Sequence, residues 1–356
     1  MSASAAFPST AGDPVLSVRD LVIEAVTADG PVRIVDNVSF DVARNEVLSV
    51  VGESGSGKSI TMLAIMGLLP PGRVGVTGGE ILFGGDNLLQ LPAERLRQLR
   101  GKSIAMIFQD PMTSLNPVIR IGNQIGEIIR IHQPKASSAQ IRDRAIELLE
   151  LVEVPDPQRR YRQYPHQFSG GMRQRTMIAM AMANEPTLLI ADEPTTALDV
   201  TIQAQVMDVL AKVRARTGTS MLLVTHDLGL VAGTADHVAV MYGGRIVERG
   251  DVDTIFAQPR HPYTVGLLRS LPRFDAAVPA LYSIPGQPSS TGAWPPGCGF
   301  HPRCGLGRDR LLCREQTPPM RPLAPAHAAA CHFTQETAEW ARRSLADAAS
   351  MDVCTG

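Results

Sequence analysis

An α/β fold with buried, parallel-type strands is predicted by three features of the sequence. Short apolar runs at Val47–Val51, Leu188–Ala191 and Met221–Thr225 have the length and composition of buried strands. A helix pattern follows the first run, from Lys58 to about Leu69, and Pro70-Pro71-Gly72 ends it. The composition is 44% hydrophobic but only 4% aromatic, which suits an α/β core filled by aliphatic and Met side chains.

Further elements are predicted on either side of this core. Val238–Tyr242 and Arg245–Glu248 flank Gly243-Gly244, a pattern typical of two strands joined by a two-residue hairpin turn. Ile81–Phe83 precedes another Gly pair and indicates a similar, weaker hairpin. Residues 110–185 are predicted to be mainly helical. No internal repeat occurs, so we expect one such unit and not a tandem pair.

Length and charge narrow the class of protein. The chain has 356 residues, enough for one large domain or a large domain with an appendage. A formal net charge of −1 gives no general attraction to nucleic acid, and no nucleic-acid partner is expected. No run of about 18 apolar residues occurs, so the chain is not expected to span a bilayer by itself. Residues 1–14 lack the basic start of a signal peptide, and we expect a disordered tail and a cytosolic setting.

A phosphate-binding loop is predicted at residues 52–59. They read G-E-S-G-S-G-K-S, the pattern G-x-x-x-x-G-K-S between a predicted strand and a predicted helix. Glycines let backbone N–H groups surround phosphate oxygens, and the helix start adds a favourable dipole. Lys58 is expected to reach the β- and γ-phosphates of ATP in a catalytic role, and the Ser59 hydroxyl to bind Mg²⁺. The residues expected to contact the nucleotide here are Gly52, Glu53, Ser54, Gly55, Ser56, Gly57, Lys58, Ser59 and Ile60.

An acidic pair follows a second predicted strand. Thr187–Ala191 is apolar and leads directly into Asp192 and Glu193. We expect Asp192 to hold Mg²⁺ beside the phosphate loop and Glu193 to polarise the attacking water as a general base. Without other motifs, such an acidic pair is as often a solvated end of a strand as it is a catalytic pair. Behind a phosphate loop, the catalytic interpretation is favoured.

The segment Phe168–Arg175, which reads F-S-G-G-M-R-Q-R, resembles the signature motif of ABC ATPases. Ser169 is a good N-cap residue, and Gly170 and Gly171 allow close backbone approach to an anion at a helix start. The segment departs from the usual L-S-G-G-Q form at Phe168 and Met172. The resemblance implies that this helix start meets the γ-phosphate bound by the opposite ATPase subunit of a dimer.

Other segments resemble further motifs of the same family, in the family's order along the chain. Gln109 resembles the glutamine that approaches Mg²⁺ and transmits motion to a membrane subunit. Ala197-Leu198-Asp199 resembles the loop at the dimer seam, with Asp199 near the nucleotide. His226, just after a predicted strand, resembles the switch histidine that contacts the γ-phosphate in catalysis. Each is weak alone, but the ordered set is specific.

The resemblance implies a domain organisation. We expect a P-loop nucleotide-binding domain of the ABC type at residues 15–260, with a helical subdomain at about 110–185. A small Cys-rich extension is expected at residues 261–356, after a stretch rich in Pro, Gly and Ser at 272–297.

Three segments resemble the dipeptide/oligopeptide group of importer ATPases: Ile107–Pro117, His261–Leu268 and Ile284–Pro288. That resemblance implies the ATP-hydrolysing motor of an importer on the cytoplasmic face of the cell membrane. Its expected partners are a second ATPase subunit, identical or different, two permeases and an extracytoplasmic solute-binding protein. The same group includes importers for nickel, glutathione and oligosaccharides. A soluble ABC ATPase acting on nucleic acid or ribosomes is a weaker alternative, since neither a coiled-coil insertion nor a second motor domain is present.

One expected family feature is missing. Members commonly stack adenine on an aromatic residue ahead of the phosphate loop, but residues 15–39 contain no Phe, Tyr or Trp. Ala25 is the residue that stands in the corresponding register. Because base stacking contributes about 1–3 kcal/mol in comparable settings, we expect loose recognition of the base.

The cysteines cluster near the C-terminus. Cys298, Cys304, Cys313 and Cys331 follow the spacing C-x5-C-x8-C-x17-C, and Cys354 is expected to be a free thiol. Four thiolates suit a closed Zn²⁺ site or an iron–sulfur cluster, and a metal centre could supply folding energy to a tail with little apolar core. The resemblance favours one [4Fe–4S] cluster, while zinc and unligated thiols stay open. Three histidines are possible substitute zinc ligands, or else solvated loop residues: His301, His327 and His332.

Overall fold

The structure is a computed structural model that describes residues 13–110, 114–196, 199–271, 282–288, 292 and 294–350. Most of the predicted tail at residues 1–14 lies outside these described residues, as do Ala197, Leu198 and Cys354.

The described part of the chain alternates strands and helices. The strands are β1 (Leu16–Thr27), β2 (Gly30–Val42), β3 (Val47–Val51), β4 (Val74–Phe83), β5 (Asp86–Asn87), β6 (Ile104–Ile107), β7 (Leu188–Asp192), β8 (Ser220–Thr225), β9 (His237–Tyr242), β10 (Arg245–Asp251), β11 (Arg321–Ala324) and β12 (His327–Ala329). The α-helices are α1 (Lys58–Ile65), α2 (Ala93–Leu99), α3 (Ile121–His132), α4 (Ser138–Leu151), α5 (Pro157–Arg160), α6 (Gly170–Ala181), α7 (Val200–Thr217), α8 (Leu228–Ala232), α9 (Val252–Ala257), α10 (Pro262–Arg269), α11 (Leu311–Glu315) and α12 (Thr334–Ser350). Short 3₁₀ turns lie at Leu88–Gln90, Pro165–Gln167 and His301–Arg303.

The central sheet has eight strands in the order β11-β12-β10-β9-β3-β8-β7-β6. The pairs β9–β3, β3–β8, β8–β7 and β7–β6 are parallel. Every position of β3, β7 and β8 is buried, which confirms the three apolar runs as interior strands. Because parallel strands end at the same edge of a sheet, the residues that follow β3, β6, β7 and β8 are brought together there.

A second, four-stranded sheet in the order β2-β1-β4-β5 packs beside the first. Its pairs are antiparallel, and Leu16, Val18 and Leu21 of β1 are fully buried. They share a core with Leu48 and Met62, so the phosphate-loop strand and α1 are covered on this side. The antiparallel sheet thereby fixes one wall of the nucleotide region.

Helix α1 ends at Ile65, earlier than the predicted Leu69. Gly67 adopts the left-handed conformation with φ 60°. The Leu68 N–H donates to the Leu63 carbonyl at 2.8 Å, and the Gly67 N–H donates to Ala64 at 3.0 Å. These two hydrogen bonds together form a Schellman motif, in which a left-handed glycine ends a helix. The helix therefore stops at its own glycine and not at the proline pair.

The predicted hairpin is confirmed at β9 and β10, which pair antiparallel. Gly243 and Gly244 both have positive φ, 52° and 76°. Tight hairpin turns need this conformation at both central positions, and glycine adopts it without a steric penalty.

The region predicted as helical contains α3 to α6, which pack on one another. Ser137 caps α4 through a capping box, because its hydroxyl accepts the Gln140 N–H at 3.3 Å and the Gln140 side chain accepts the Ser137 N–H at 2.8 Å. Ile121, Ile125 and Leu148 are buried between these helices and the central sheet. The subdomain thus has an apolar face of its own and shares the main core.

The C-terminal extension is built onto the central sheet. Strand β12 pairs with β10, and β11 pairs with β12. The fully buried Glu248 carboxylate accepts the backbone N–H groups of Arg260 at 2.6 Å and His261 at 2.9 Å, and it lies 2.9 Å from Nε2 of His327. Phe300 is buried in the main core, with its ring 5.1 Å from that of Tyr242. The tail therefore has more apolar support than its composition indicated.

Candidate nucleotide site

The predicted phosphate loop joins β3 to the start of α1. Gly57 precedes α1 in the left-handed conformation with φ 102°, so the chain turns sharply into the helix. The Lys58 ammonium folds back over the loop and donates to the carbonyls of Gly52 at 2.6 Å and Glu53 at 3.0 Å. The lysine side chain thus braces the loop from inside and is held where phosphates of a nucleotide would lie.

Two further residues of the loop have particular surroundings: Gly52 packs closely against backbone, and Ser56 has a hydroxyl suited to an anion. A Cβ atom at Gly52 would lie 2.1 Å from the carbonyl oxygen of Met241, so this position excludes any side chain. The Ser56 hydroxyl is buried and has no hydrogen-bond partner among the described residues. A buried polar group without a partner costs free energy, which a bound phosphate oxygen would offset.

The acidic pair lies at the end of β7, next to the loop. The Ser59 hydroxyl donates to Oδ1 of Asp192 at 3.0 Å, which puts two hard oxygen ligands side by side. These donors suit Mg²⁺, and burial raises the pKa of Asp192, with the neighbouring Glu193 carboxylate adding to the effect. A cation between the two oxygens would relieve that penalty.

The Glu193 carboxylate contacts two other residues predicted for the site, Gln109 and His226. Its Oε2 accepts from Nε2 of Gln109 at 3.0 Å and from the Thr196 hydroxyl at 2.8 Å. Nδ1 of His226 lies 3.3 Å from the same oxygen. The residue adopts φ 47°, an uncommon conformation for a residue other than glycine, and its N–H donates to Val224 at 2.9 Å. The carboxylate is therefore aimed by its backbone and held by three side chains.

The charge balance of the site favours an anionic ligand with a cation. Burial lowers the pKa of Lys58, although the carboxylates of Glu193, Asp192 and Glu53 counter part of this effect. The polyphosphate of ATP would stabilise the charged ammonium.

These groups surround one open cleft of about 660 Å³. The cleft is lined by Ile34, Glu53, Ser54, Gly55, Gly57, Lys58, Ser59, Ile60, Gln109, Glu193 and His226. Gly52 and Ser56 are buried in the loop itself, and Asp192 reaches the site through Ser59. The arrangement can hold a polyphosphate, a divalent cation and a water molecule beside a carboxylate.

The remaining predicted residues lie elsewhere on the surface. Ser169 is exposed and caps α6, accepting the Met172 N–H at 3.4 Å, with Gly170 and Gly171 in the first turn. Asp199 is exposed and caps α7, accepting the Ile202 N–H at 3.0 Å. Among the described residues that line the cleft, none comes from these two helix starts. The start of α6 is therefore an exposed helix N-terminus with a neutral cap that the cleft of this chain does not use.

Several residues of the site were not predicted from the sequence. Ile34 lines the cleft from β2, and Thr196 binds Glu193. The Tyr263 hydroxyl accepts the Glu53 N–H at 2.8 Å, and the Arg303 guanidinium binds the Glu53 carboxylate. Only the nearness of Thr196 to Glu193 in sequence could have indicated its contact, because the partners of Glu53 lie 210 and 250 residues away.

A second, small cavity lies in the extension, here called the cysteine cavity because Cys298, Cys304, Cys313 and Cys331 all line it. Backbone N–H groups approach two of the sulfur atoms: Gly307 to Cys304 at 3.1 Å and Phe333 to Cys331 at 3.4 Å. Burial raises the pKa of Cys298 to about 12 and that of Cys331 to about 11. Yet no group of three or more His, Cys, Asp or Glu side chains in the described ranges is close enough to hold a metal ion as it stands. The thiols share one cavity without forming a finished ligand set.

A phosphate loop on β3, a carboxylate pair on β7 and a histidine after β8 define a P-loop ATPase. Comparison with known proteins narrows this class. Residues 35–196 match the ABC transporter family, and residues 247–313 match the C-terminal region of oligopeptide/dipeptide transporters.

Named relatives match nearly the whole chain. The dipeptide transport ATP-binding protein DppD of Bacillus subtilis is 48% identical over 329 residues, which cover 92% of this chain and 97% of the relative. The oligopeptide transport ATP-binding protein OppD of Escherichia coli is 46% identical over 320 residues, covering 90% and 93%. The chain belongs to the ATP-binding proteins of the ABC transporter family, and it is an ATPase that drives transport.

Solved structures support the fold. The dimeric ATP-binding cassette MJ0796 bound to ADP and Pi is 28% identical, with a TM-score of 0.59, and covers 67% of this chain and 98% of its own. CbiO1 of Clostridium perfringens is 26% identical with a TM-score of 0.59, covering 72% and 96%. In the described part of this chain, no helix has both the length and the apolarity needed to cross a bilayer.

Base selectivity is expected to be weak. Among the described residues lining the cleft there is no Phe, Tyr or Trp, and Ile34 offers only an aliphatic surface. ATP and GTP should therefore bind within about tenfold of each other, a difference of ~1.4 kcal/mol. Competition of each nucleotide with a fluorescent ATP analogue measures the ratio. A preference for ATP of about a hundredfold or more would mean that another residue stacks on adenine.

Proposed function

We propose that this chain is the ATP-hydrolysing subunit of an importer for dipeptides or oligopeptides. The observation that carries the proposal is the match of residues 247–313 to the C-terminal region of oligopeptide/dipeptide transporters, since it lies outside the general ATPase core. Relatives named for dipeptide and oligopeptide transport support the same solute class. Nickel, glutathione and oligosaccharides are the competing solutes.

In the proposed mechanism, the loop at residues 52–60 cradles the phosphates, and Lys58 leaves its contacts with loop carbonyls to bind the β- and γ-phosphates. Ser59 and Asp192, with Gln109, would hold Mg²⁺, and the cation would neutralise charge at the phosphates. Glu193 takes a proton from water as the water oxygen bonds to the γ-phosphorus, and the bond from phosphorus to the β–γ bridging oxygen breaks, so that ADP and phosphate are released. Positioning and charge stabilisation supply most of the rate.

His226 and Gln109 hold the Glu193 carboxylate in the proposed mechanism. Both contact Oε2 of Glu193, Nε2 of Gln109 at 3.0 Å and Nδ1 of His226 at 3.3 Å. The His226 side chain is 58% exposed and can turn toward a γ-phosphate that arrives in the open cleft. Gln109 contacts the catalytic carboxylate and lies in the chain between β6 and α3. Movement at the γ-phosphate would thus reach α3 and its neighbours.

The site is completed by a second ATPase subunit in this proposal, identical or different. Ser169, Gly170 and Gly171 are exposed or half-buried at a helix start, and the solved dimer of a related cassette gives a precedent for pairing. Asp199 would lie at the same seam. Two permeases and an extracytoplasmic solute-binding protein complete the complex, which holds the chain at the cytoplasmic face of the membrane.

Uptake measurements test the solute class. Cells lacking the importer are given the complete transporter, and uptake of labelled dipeptides, oligopeptides, glutathione, an oligosaccharide and Ni²⁺ is measured. Peptide uptake that depends on this chain supports the proposal. If only one of the other solutes is taken up, that solute replaces peptides in the proposal, and the assignment as an ATPase is unaffected.

We also propose that the cysteine cavity holds one [4Fe–4S] cluster. The donor set fits, because four cysteines line the cavity and backbone N–H groups point at two sulfur atoms, as they do around cluster ligands. Since the described residues form no finished metal-binding group as they stand, binding requires the four thiols to rearrange. The cluster would stabilise the extension and need not exchange electrons during hydrolysis.

Anaerobically purified protein is expected to be brown and to contain about four iron and four sulfide ions per chain. Cys313→Ser should remove the visible absorbance, whereas Cys354→Ser should leave it unchanged, since Cys354 is not part of the predicted C-x5-C-x8-C-x17-C set. Metal analysis and a visible spectrum measure both. Colourless protein with one zinc per chain would support the zinc alternative, and protein with neither metal would support free thiols.

A further inference from the structure

Arg303, in the extension, makes a paired contact with the phosphate loop. Its Nη1 donates to Oε2 of Glu53 at 2.6 Å and its Nη2 donates to Oε1 at 3.0 Å. The Arg303 side chain is only 5% exposed, and that of Glu53 is 25% exposed. A two-point contact of this kind fixes orientation as well as distance, and its low exposure limits screening by solvent.

The guanidinium is held by its surroundings. Its Nε donates to the carbonyl of Pro285 at 3.1 Å, and Nη2 also approaches the carbonyl of Ile284 at 3.4 Å. The rings of Tyr242 and Phe300 lie 5.8 and 6.0 Å from its centre. Arg303 therefore acts on Glu53 from a fixed position in the extension.

Glu53 in turn shapes the loop. Its carbonyl accepts from Nζ of Lys58 at 3.0 Å and from the Ser56 N–H at 3.3 Å. Its N–H donates to the Tyr263 hydroxyl at 2.8 Å, so the extension holds this residue at its backbone and at its carboxylate. Glu53 also lines the nucleotide cleft, where a carboxylate without a counter-charge would repel phosphates.

Arg303 is also part of the turns that form the cysteine cavity. It ends the 3₁₀ turn His301–Arg303, and Cys304 is the next residue. The Cys304 N–H donates to His301 at 3.1 Å, and the His301 N–H donates to Cys298 at 3.0 Å. Backbone groups of Cys298 and Cys304 thus bound the turn that carries the guanidinium.

We propose that Arg303 is a positioning residue for nucleotide binding: it orients and neutralises Glu53, and it links the state of the cysteine cavity to the phosphate loop. The proposal rests on the ATP site and is independent of the transported solute and of which group the cysteines hold. Through this link, the nucleotide affinity of the chain depends on an intact cysteine cavity.

Nucleotide titrations on the purified chain test the first half, with a fluorescent ATP analogue and Mg²⁺. Arg303→Ala should raise the Kd about tenfold, because the Glu53 charge then faces the phosphates. Arg303→Lys should raise it about threefold, because one ammonium cannot hold both carboxylate oxygens. Adding Glu53→Gln to either variant should restore most of the affinity, which a role in folding alone would not produce. Unchanged affinity in both variants, or no restoration by Glu53→Gln, would overturn the proposal.

Arg97→Ala is the matched control. Arg97 also makes a two-point contact, to Glu94 at 2.9 and 3.0 Å, but both side chains are exposed on α2. Its removal should leave the Kd unchanged. Thermal unfolding shows which variants are folded. If Arg303→Ala is not folded, the Arg303→Lys variant with and without Glu53→Gln provides the test.

The second half is tested by a double-mutant comparison. Cys304→Ser should weaken ATP binding in the wild-type chain by several-fold but have little effect in the Arg303→Lys/Glu53→Gln chain, where the link is already broken. Equal weakening in both backgrounds would show that the cysteine cavity acts on the cleft by another route. No weakening in either would show that the two regions are not coupled.

Discussion

Glu193→Gln is expected to bind ATP with nearly the wild-type affinity and to lose about 10²–10⁴-fold in turnover. The amide can still accept the hydrogen bonds that Gln109 and Thr196 donate to the carboxylate, at 3.0 and 2.8 Å. It cannot take a proton from the attacking water. Nucleotide titration and phosphate release in the assembled transporter measure the two effects separately.

Glu147→Gln is the matched control for this variant. Glu147 lies on α4, its side chain is 53% exposed, and its partner is Arg144 on the same helix. The same change of acid to amide there should alter hydrolysis by less than about twofold, since exposed ion pairs contribute little. Near-normal hydrolysis by Glu193→Gln would show that Glu193 is not the general base, and His226 would be the next candidate for that role.

The predicted residues that come together at the cleft are those that belong to a local sequence pattern. The phosphate loop combines glycines, Lys58 and Ser59 within eight residues, and the strand before it is apolar throughout. Asp192 and Glu193 were found because a buried parallel strand must end at the same edge as β3. Their convergence on one cleft is a consequence of sheet topology and so could be expected before the structure.

Contacts between distant segments could not be predicted in this way. Arg303 and Glu53 are separated by 250 residues, and each alone is indistinguishable from a solvated surface charge. The addition of β11 and β12 to the central sheet was equally hidden, because β12 is only His327–Ala329 and has no alternating pattern. Such short strands form because of tertiary contacts: β12 pairs with the edge of β10, and His327 lies in hydrogen-bond contact with Glu248.

The cysteines illustrate a middle case. Their spacing predicted that they would meet, and all four line one cavity, but spacing does not encode the small turns that set the sulfur positions. Those turns depend on backbone bonds such as the Cys298 N–H to the Cys313 carbonyl at 2.8 Å. Ligand identity depends on sulfur geometry, which explains why cluster and zinc remained alternatives at the level of sequence.

Ser169→Arg is expected to abolish the ATPase activity of the assembled transporter while leaving ATP binding by the isolated chain unchanged. Ser169 is exposed at the start of α6 and does not line the cleft of its own chain, so the isolated site should not sense the change. In the proposed dimer the new side chain would occupy the place of the γ-phosphate of the facing subunit. Loss of such anion-binding groups typically costs about 10²–10³-fold in rate.

Ser137→Ala separates this effect from the loss of a helix cap. Ser137 caps α4 in the same subdomain, with a hydroxyl to N–H distance of 3.3 Å against 3.4 Å at Ser169, and its removal should cost about 1 kcal/mol of stability without loss of hydrolysis. The wild-type chain alone should hydrolyse ATP slowly and gain activity when its partner ATPase and permeases are added. Full activity in a demonstrably monomeric sample, or wild-type hydrolysis by an assembled Ser169→Arg transporter, would mean that the site is complete within one chain.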